Sequence, residues 1–179
     1  MARLRNVSAT SAGGIVVRSL DRDPELVIGM RRREHGVTWT LPKGTPESGE
    51  TIAETATREV REESGIEVRI VDRLPSIEYD FVQYGARIHK TVHYFLMDPI
   101  GGDLSQHDRE FADVRWVTFD EAQRLLSFET ERALVSATHA RLDRLPGEEP
   151  EAPEGRETPE EPVAGEPSVV RRAPTEAGA

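Results

Sequence analysis

The sequence predicts an α/β domain in which a mixed β-sheet lies between helices, and three observations lead there. Short β-branched or apolar runs recur on both sides of one long helical stretch, residues 51–64. A second amphipathic stretch follows the last of these runs, over residues 130–142. Each helix carries one apolar stripe, which a sheet placed between them can cover.

The elements follow in order. Residues 1–10 read as a loose lead-in, and Ser11, Ala12, Gly13 and Gly14 then precede Ile15, Val16 and Val17. That is a strand whose glycines permit close backbone approach. Asp21-Arg22-Asp23-Pro24 is a turn, and residues 26–30 (LVIGM) form a strand apolar throughout and therefore central. A charged loop is expected at 31–36, then an extended piece at 38–42 closed by Pro42. Beyond the central helix, residues 68–74 read as a strand, and 77–82 with 87–96 as a hairpin around Gln83-Tyr84-Gly85. Pro99, Gly101 and Gly102 mark 98–108 as a loop, and 114–117 is a short strand. A helix starts over 120–126, and the one over 130–142 has Ala133, Leu134, Ala137 and Leu142 as its inner side.

A chain of 179 residues can bury one good core. It has no cysteine, which excludes disulfides and thiolate metal sites and fits a reducing cytoplasm. The apolar run at 15–17 is too short for the core of a signal peptide, and no run approaches the length of a membrane span, so a soluble cytoplasmic protein is expected. The net charge of −10 argues against a general DNA or anionic-membrane surface. From Pro146 the composition turns to Pro, Glu, Gly and Ala, and nine Glu against three Arg give −6 there, leaving −4 for the rest. The expected organisation is a domain over 1–145 and a disordered acidic tail over 146–179.

The central helix holds the most specific pattern. Ile52, Ala53, Ala56 and Val60 follow the helical period as an apolar face. Thr51 and Glu54 form a capping box, and Gly65 stands where a left-handed C-terminal cap is needed. Glu59, Glu62 and Glu63 stand at i, i+3 and i+4 on the edge expected to face outward, their Cβ atoms roughly 5–6 Å apart. Three carboxylates that close repel unless a cation sits among them, and hard divalent ions take oxygen ligands while leaving positions for phosphates and water. Pairs such as Glu54–Arg58 and Arg58–Glu62 would also suit an ordinary solvated helix.

The stretch from Gly44 to Ile66 resembles the Nudix hydrolase signature. It supplies Gly44, Glu50, Arg58, Glu59, Val60, Glu62, Glu63, Gly65 and Ile66 at the signature offsets without departure. A solvated helix does not account for Gly44, Glu50 and Gly65 at those offsets. The resemblance covers about residues 9–142 and implies the Nudix α/β/α sandwich, with a mixed β-sheet between helices.

It also implies hydrolysis of a phosphoanhydride bond in a nucleoside polyphosphate, with Mg2+ or Mn2+ as cofactor. On that match Glu59, Glu62 and Glu63 are metal ligands, one of them open to the role of base, and a backbone carbonyl near Lys43 or Gly44 completes the shell. Arg58 orients the cluster, while Glu50, Gly44 and Gly65 shape the loop and helix end. Glu110, six residues before Trp116, matches a glutamate that reaches the metals or acts as base in several Nudix enzymes. Leu41-Pro42-Lys43-Gly44 and the stretch 89–96 resemble enzymes that hydrolyse diadenosine polyphosphates or diphosphoinositol phosphates. Lys43 and Lys90 would then meet phosphates, and Tyr94, on the same strand face as Lys90, would offer a stacking surface, although an ordinary half-buried strand reads the same way. The five histidines are poor metal ligands, since His89 and His93 in one strand lie about 13 Å apart.

The nucleotide partner expected first is a diadenosine polyphosphate. The alternatives are an ordinary or oxidised dNTP, as for MutT-like enzymes, an RNA 5′ end, a diphosphoinositol phosphate, or a non-catalytic sensor. Such sensors usually lose signature glutamates, and this chain has them all. Either a monomer or a homodimer is compatible with the sequence.

Overall fold

Strand β1, Arg5–Arg18, is the spine of the domain in a computed structural model that describes residues 5–18 and 23–142. The acidic tail expected over 146–179 lies outside the described residues, as does part of the turn at 21–24. Strands β2 (Glu25–Arg33) and β3 (Gly36–Thr40) form an antiparallel hairpin, and β8 (Asp113–Thr118) pairs with the other edge of β2. The two-residue β4 (Lys43–Gly44) pairs with β1 through Ala12 and Gly13. Strands β5 (Ile66–Arg73) and β6 (Ile77–Gln83) both run antiparallel to β7 (Ala86–Gly102), which lies parallel to β1 from Arg5 to Val16. Parallel and antiparallel pairs thus coexist, as expected of a mixed sheet. No helix among the described residues is long and apolar enough to cross a membrane.

The two faces of the sheet follow from the two-residue period of its strands. Along β7, Val92, Tyr94 and Leu96 enter one core cluster while Phe95 and Met97 enter the other. Leu26 and Ile28 of β2 point one way and Val27 the other. Helix α1 (Ile52–Ser64) covers the face with Val27 and Met97 through Ala56 and Val60. Helices α2 (Phe119–Leu125) and α3 (Glu129–Leu142) cover the opposite face through Phe119, Ala122, Leu134 and Val135.

Several expectations are corrected. Residues 5–10 are strand rather than lead-in, because β7 supplies a parallel partner for each. The charged loop at 31–36 shrinks to a two-residue turn, its arginines continuing β2 opposite β3. Strand β7 runs through Pro99 to Gly102, where a loop was expected, with β5 as its partner and an irregular register near the proline. On α3 the inner side is Glu131, Leu134, Val135 and Thr138, whereas Ala133 and Ala137 are exposed. The helix meets the sheet about a third of a turn away from the stripe that its alanines suggested.

Candidate active site

Both ends of α1 are fixed by the residues expected to fix them. Thr51 Oγ1 accepts a hydrogen bond from Glu54 N, and Thr51 N donates to Glu54 Oε2 at 2.8 Å. Gly65 closes the helix at φ 76°, donating its N–H to Arg61 O at 2.8 Å. A side chain there would also meet Asp103 O, 2.2 Å from where a Cβ would stand. The loop after β7 therefore packs directly on the cap.

Arg58 is the hub of the exposed side of the cluster. Its guanidinium grips Glu50 with two hydrogen bonds, Nε to Oε1 at 2.6 Å and Nη2 to Oε2 at 2.9 Å, and reaches Thr45 O at 3.1 Å. Nη1 donates to Glu59 Oε1 at 2.9 Å and to Glu62 Oε2 at 3.0 Å. Hydrogen bonds from Arg58 and from the Glu47 backbone hold the Glu50 carboxyl down at about 2. Glu50 thus ties the loop 45–50 to the helix, as a loop-shaping residue should.

Glu63 differs from its neighbours. It was expected on an outward edge but is buried, 1% exposed. Its Oε2 accepts the backbone N–H of Lys43 at 2.8 Å, and its Oε1 accepts a hydrogen bond from Arg31. Burial pushes its carboxyl up to about 8, against the pull of Arg31 and Lys43. Burial also raises Glu59, whose carboxylate lies over Gly44, where a Cβ would stand 2.0 Å from Oε2. Only glycine leaves room for that carboxylate.

Glu110 reaches the site from the loop before β8, its Oε2 accepting from Arg31 Nη1 at 2.6 Å. Arg31 lies over the Phe111 ring at 4.7 Å, and that ring is packed against Gly29. Arg31 was hidden in the expected loop. The signal for it is the extension of the 26–30 strand, which puts Gly29 and Arg31 on one face.

An open cleft of about 500 Å³ brings together Arg31, Lys43, Gly44, Glu59, Lys90 and Glu110. A narrower, mostly apolar cavity of about 320 Å³ adjoins it, lined by Ile77, Tyr79, Val92, Phe128 and Glu131 among others, and Lys43, Tyr79 and Phe128 border both. Lys90 is half-buried, with its ammonium 3.4 Å from Thr10 O and its pKa lowered by burial and by Lys43. Lys43 Nζ stands 2.6 Å from Thr40 Oγ1 and 3.0 Å from Glu131 Oε1, turned toward the apolar cavity.

Tyr94 is completely buried, donates its hydroxyl to Glu131 at 3.1 Å and lies in the wall of the apolar cavity rather than in the open cleft. The exposed rings that border the cleft and the cavity are Tyr79, 43% exposed and directly opposite Lys90 in the β6–β7 pair, and Phe128. Glu131 was also missed; its signal is an acidic residue in helical register with Leu134 and Val135.

Whether the cluster suits a divalent ion turns on its donors. Glu59, Glu62, Glu63 and Glu110 offer hard oxygens on two segments, and the glycine under Glu59 leaves its carboxylate uncrowded. In the present side-chain arrangement no three His, Cys, Asp or Glu groups among the described residues form a ready metal site. Arg58 and Arg31 neutralise the carboxylates instead. The donor set fits a hard divalent ion once those arginines share it.

Comparison with known proteins bears on the family and the fold. The family profile described as the NUDIX domain matches residues 9–138. A protein of Mycobacterium tuberculosis (strain CDC 1551 / Oshkosh) that bears the name mutator protein MutT4 is 43% identical over 154 residues, 84% of this chain and 62% of its own length. The rat (Rattus norvegicus) bis(5′-nucleosyl)-tetraphosphatase (asymmetrical) is 34% identical over 109 residues, 60% of this chain and 74% of its own length. The chain spans less than two thirds of the first of these relatives. A C. elegans Ap4A hydrolase in binary complex superposes with a TM-score of 0.58 at 20% identity, over 75% of this chain and 98% of that one, a likeness of fold.

Proposed function

This chain belongs to the Nudix family, and on that premise we propose that it hydrolyses a phosphoanhydride bond of a nucleoside polyphosphate with the help of Mg2+ or Mn2+. The observation that carries the reading is that Glu59 of α1 and Glu110 border a cleft that continues, past Lys43 and Tyr79, into an apolar cavity. A polyphosphate needs cations and a base needs an apolar slot, and the two lie side by side. Glu59, Glu62 and Glu63 would hold the ion together with a backbone carbonyl near Lys43 or Gly44. A bound divalent ion neutralises charge on phosphate oxygens and lowers the pKa of water. Arg58 would orient Glu59 and Glu62, and Glu110 would accept a proton from the attacking water. Lys90 faces the phosphates, Lys43 borders both spaces, and the base packs against Tyr79 and Phe128.

Among substrates we place diadenosine polyphosphates first. Tyr79 stands opposite Lys90 and gives an exposed ring beside that lysine, with buried Tyr94 behind it in the cavity wall, and the rat relative's name points the same way. A second reading, an ordinary or oxidised dNTP, is favoured by the mutator protein, which matches more of this chain. We assign the activity to residues 1–145, treat 146–179 as a solubilising acidic extension, and place the protein in the cytoplasm.

The test is turnover of diadenosine tetraphosphate, 8-oxo-dGTP, dNTPs, ADP-ribose and triphosphorylated RNA side by side with Mg2+. Diadenosine tetraphosphate should be split to ATP and AMP, with loss of activity in chelator and in Glu63→Gln. Preference for a dNTP would establish the second reading. Undiminished activity of Glu63→Gln would overturn the metal assignment, and absence of any turnover would overturn catalysis.

A further inference from the structure

Arg31 is placed where a metal-binding enzyme has reason to exclude a fixed cation. Its guanidinium bridges Glu63 on α1 and Glu110 on the loop before β8, two carboxylates 47 positions apart in the chain. Glu63 is buried and would otherwise sit desolvated beside Glu59, at high cost for a charged group. The flat ring of Phe111 supports the guanidinium, and Gly29 supports the ring. Arg58 shares Glu59 and Glu62 in a similar way, yet it is braced by the two hydrogen bonds it donates to Glu50 and by the one it donates to Thr45 O. Among the described residues the hydrogen-bond partners of the Arg31 guanidinium are Glu63 and Glu110. It can leave one carboxylate without losing every anchor, because the guanidinium also rests on the Phe111 ring.

Resting on the reading of a divalent-ion site above, we propose that Arg31 is the protein's internal counter-cation for Glu63 and Glu110, released from them as an ion binds, and so a positioning residue that sets metal affinity. In the ion-free protein it keeps the buried carboxylate compensated and the Glu110 loop drawn to α1. Each ion that enters must compete with a charge already in place. The affinity of the site is therefore held below what its carboxylates alone would give.

The test is Mn2+ binding to the full chain, followed by the electron paramagnetic resonance of free Mn2+, alongside thermal unfolding with chelator and with Mn2+. Arg31→Met keeps an unbranched side chain of similar reach beside Phe111 and removes the charge. It should bind Mn2+ about tenfold more tightly or better, the scale of coupling measured for close charge pairs. It should also unfold at lower temperature in chelator and gain more from Mn2+ than the wild type does. Arg31→Lys, whose ammonium can serve one carboxylate at a time, should fall between them and serves if the methionine variant does not fold. A merely structural Arg31 would give equal Mn2+ gains in all three. Equal or weaker Mn2+ binding by the variants, with the wild type still binding, would overturn the role of Arg31 alone. Absence of Mn2+ binding in every protein would overturn the metal reading and this proposal with it.

Discussion

Replacing Glu131 should disturb this protein more than any other single acidic residue outside the signature. Its carboxylate is 3% exposed and accepts from Thr40 Oγ1 at 2.7 Å, Tyr94 Oη at 3.1 Å and Leu41 N at 3.2 Å, with Lys43 Nζ at 3.0 Å. It joins α3 to β7 and to the segment leading into the signature loop. Glu131→Ala strands the hydroxyl of a fully buried tyrosine and the N–H of Leu41, and removes the partner of Lys43. Breaking a buried pair in this way costs about 3–5 kcal/mol. At roughly 2–4 °C per kcal/mol in a domain of this size, the unfolding temperature should fall by about 6–20 °C. Glu131→Gln keeps the volume, and its carbonyl can still serve Thr40 and Tyr94. Its NH2 then faces Leu41 N–H, leaving one donor unmatched at about 1–3 kcal/mol. The gradation Ala below Gln below wild type is the diagnostic, read by circular dichroism on heating and by urea titration. An alanine variant within about 2 °C of the wild type would refute the argument that this carboxylate organises the floor of the apolar cavity.

Three further outcomes are expected. Gly44→Ala places a methyl on the Glu59 carboxylate, a side-chain end that can swing away; turnover should drop at least about tenfold, the scale of a displaced catalytic contact, while the unfolding temperature hardly changes, so loss of both together would count against the placement of Glu59. Gly65→Ala must be accommodated against a positive φ and the backbone oxygen of Asp103. It should cost at least about 1 kcal/mol in urea-measured stability, more than a cap substitution on an open surface. Tyr79→Ala and Phe128→Ala should raise KM for the preferred nucleotide several-fold with kcat largely kept, as stacking losses of about 1–3 kcal/mol do; an unchanged KM in both would remove the apolar cavity from the binding site.

Much of α1 was legible because its determinants are local. Capping by Thr51, Glu54 and Gly65 depends on residues within one helix, so their spacing fixes where Glu59, Glu62 and Glu63 stand relative to one another. The hairpin around Tyr84 and Gly85 was legible for the same reason, with positive φ at both residues. The strand alternation that divides Tyr94 from Phe95 and Met97 is also local, and it follows from the period of two.

What the tertiary structure alone decided concerns how far each element rotates and what faces it. Spacing places three glutamates on one helix edge, but the tilt of α1 on the sheet decides that Glu63 is buried while Glu62 stays in solvent. Period two puts Tyr94 on a face with Lys90, but α3 is what covers it, and Tyr79 is left exposed one strand over. Arg31 and Glu110 are 79 positions apart and meet only because β8 pairs with β2. Local rules fix dihedral angles, caps and faces within an element. Burial and charge pairing depend on which distant segment fills the space opposite, and no spacing within one element carries that information.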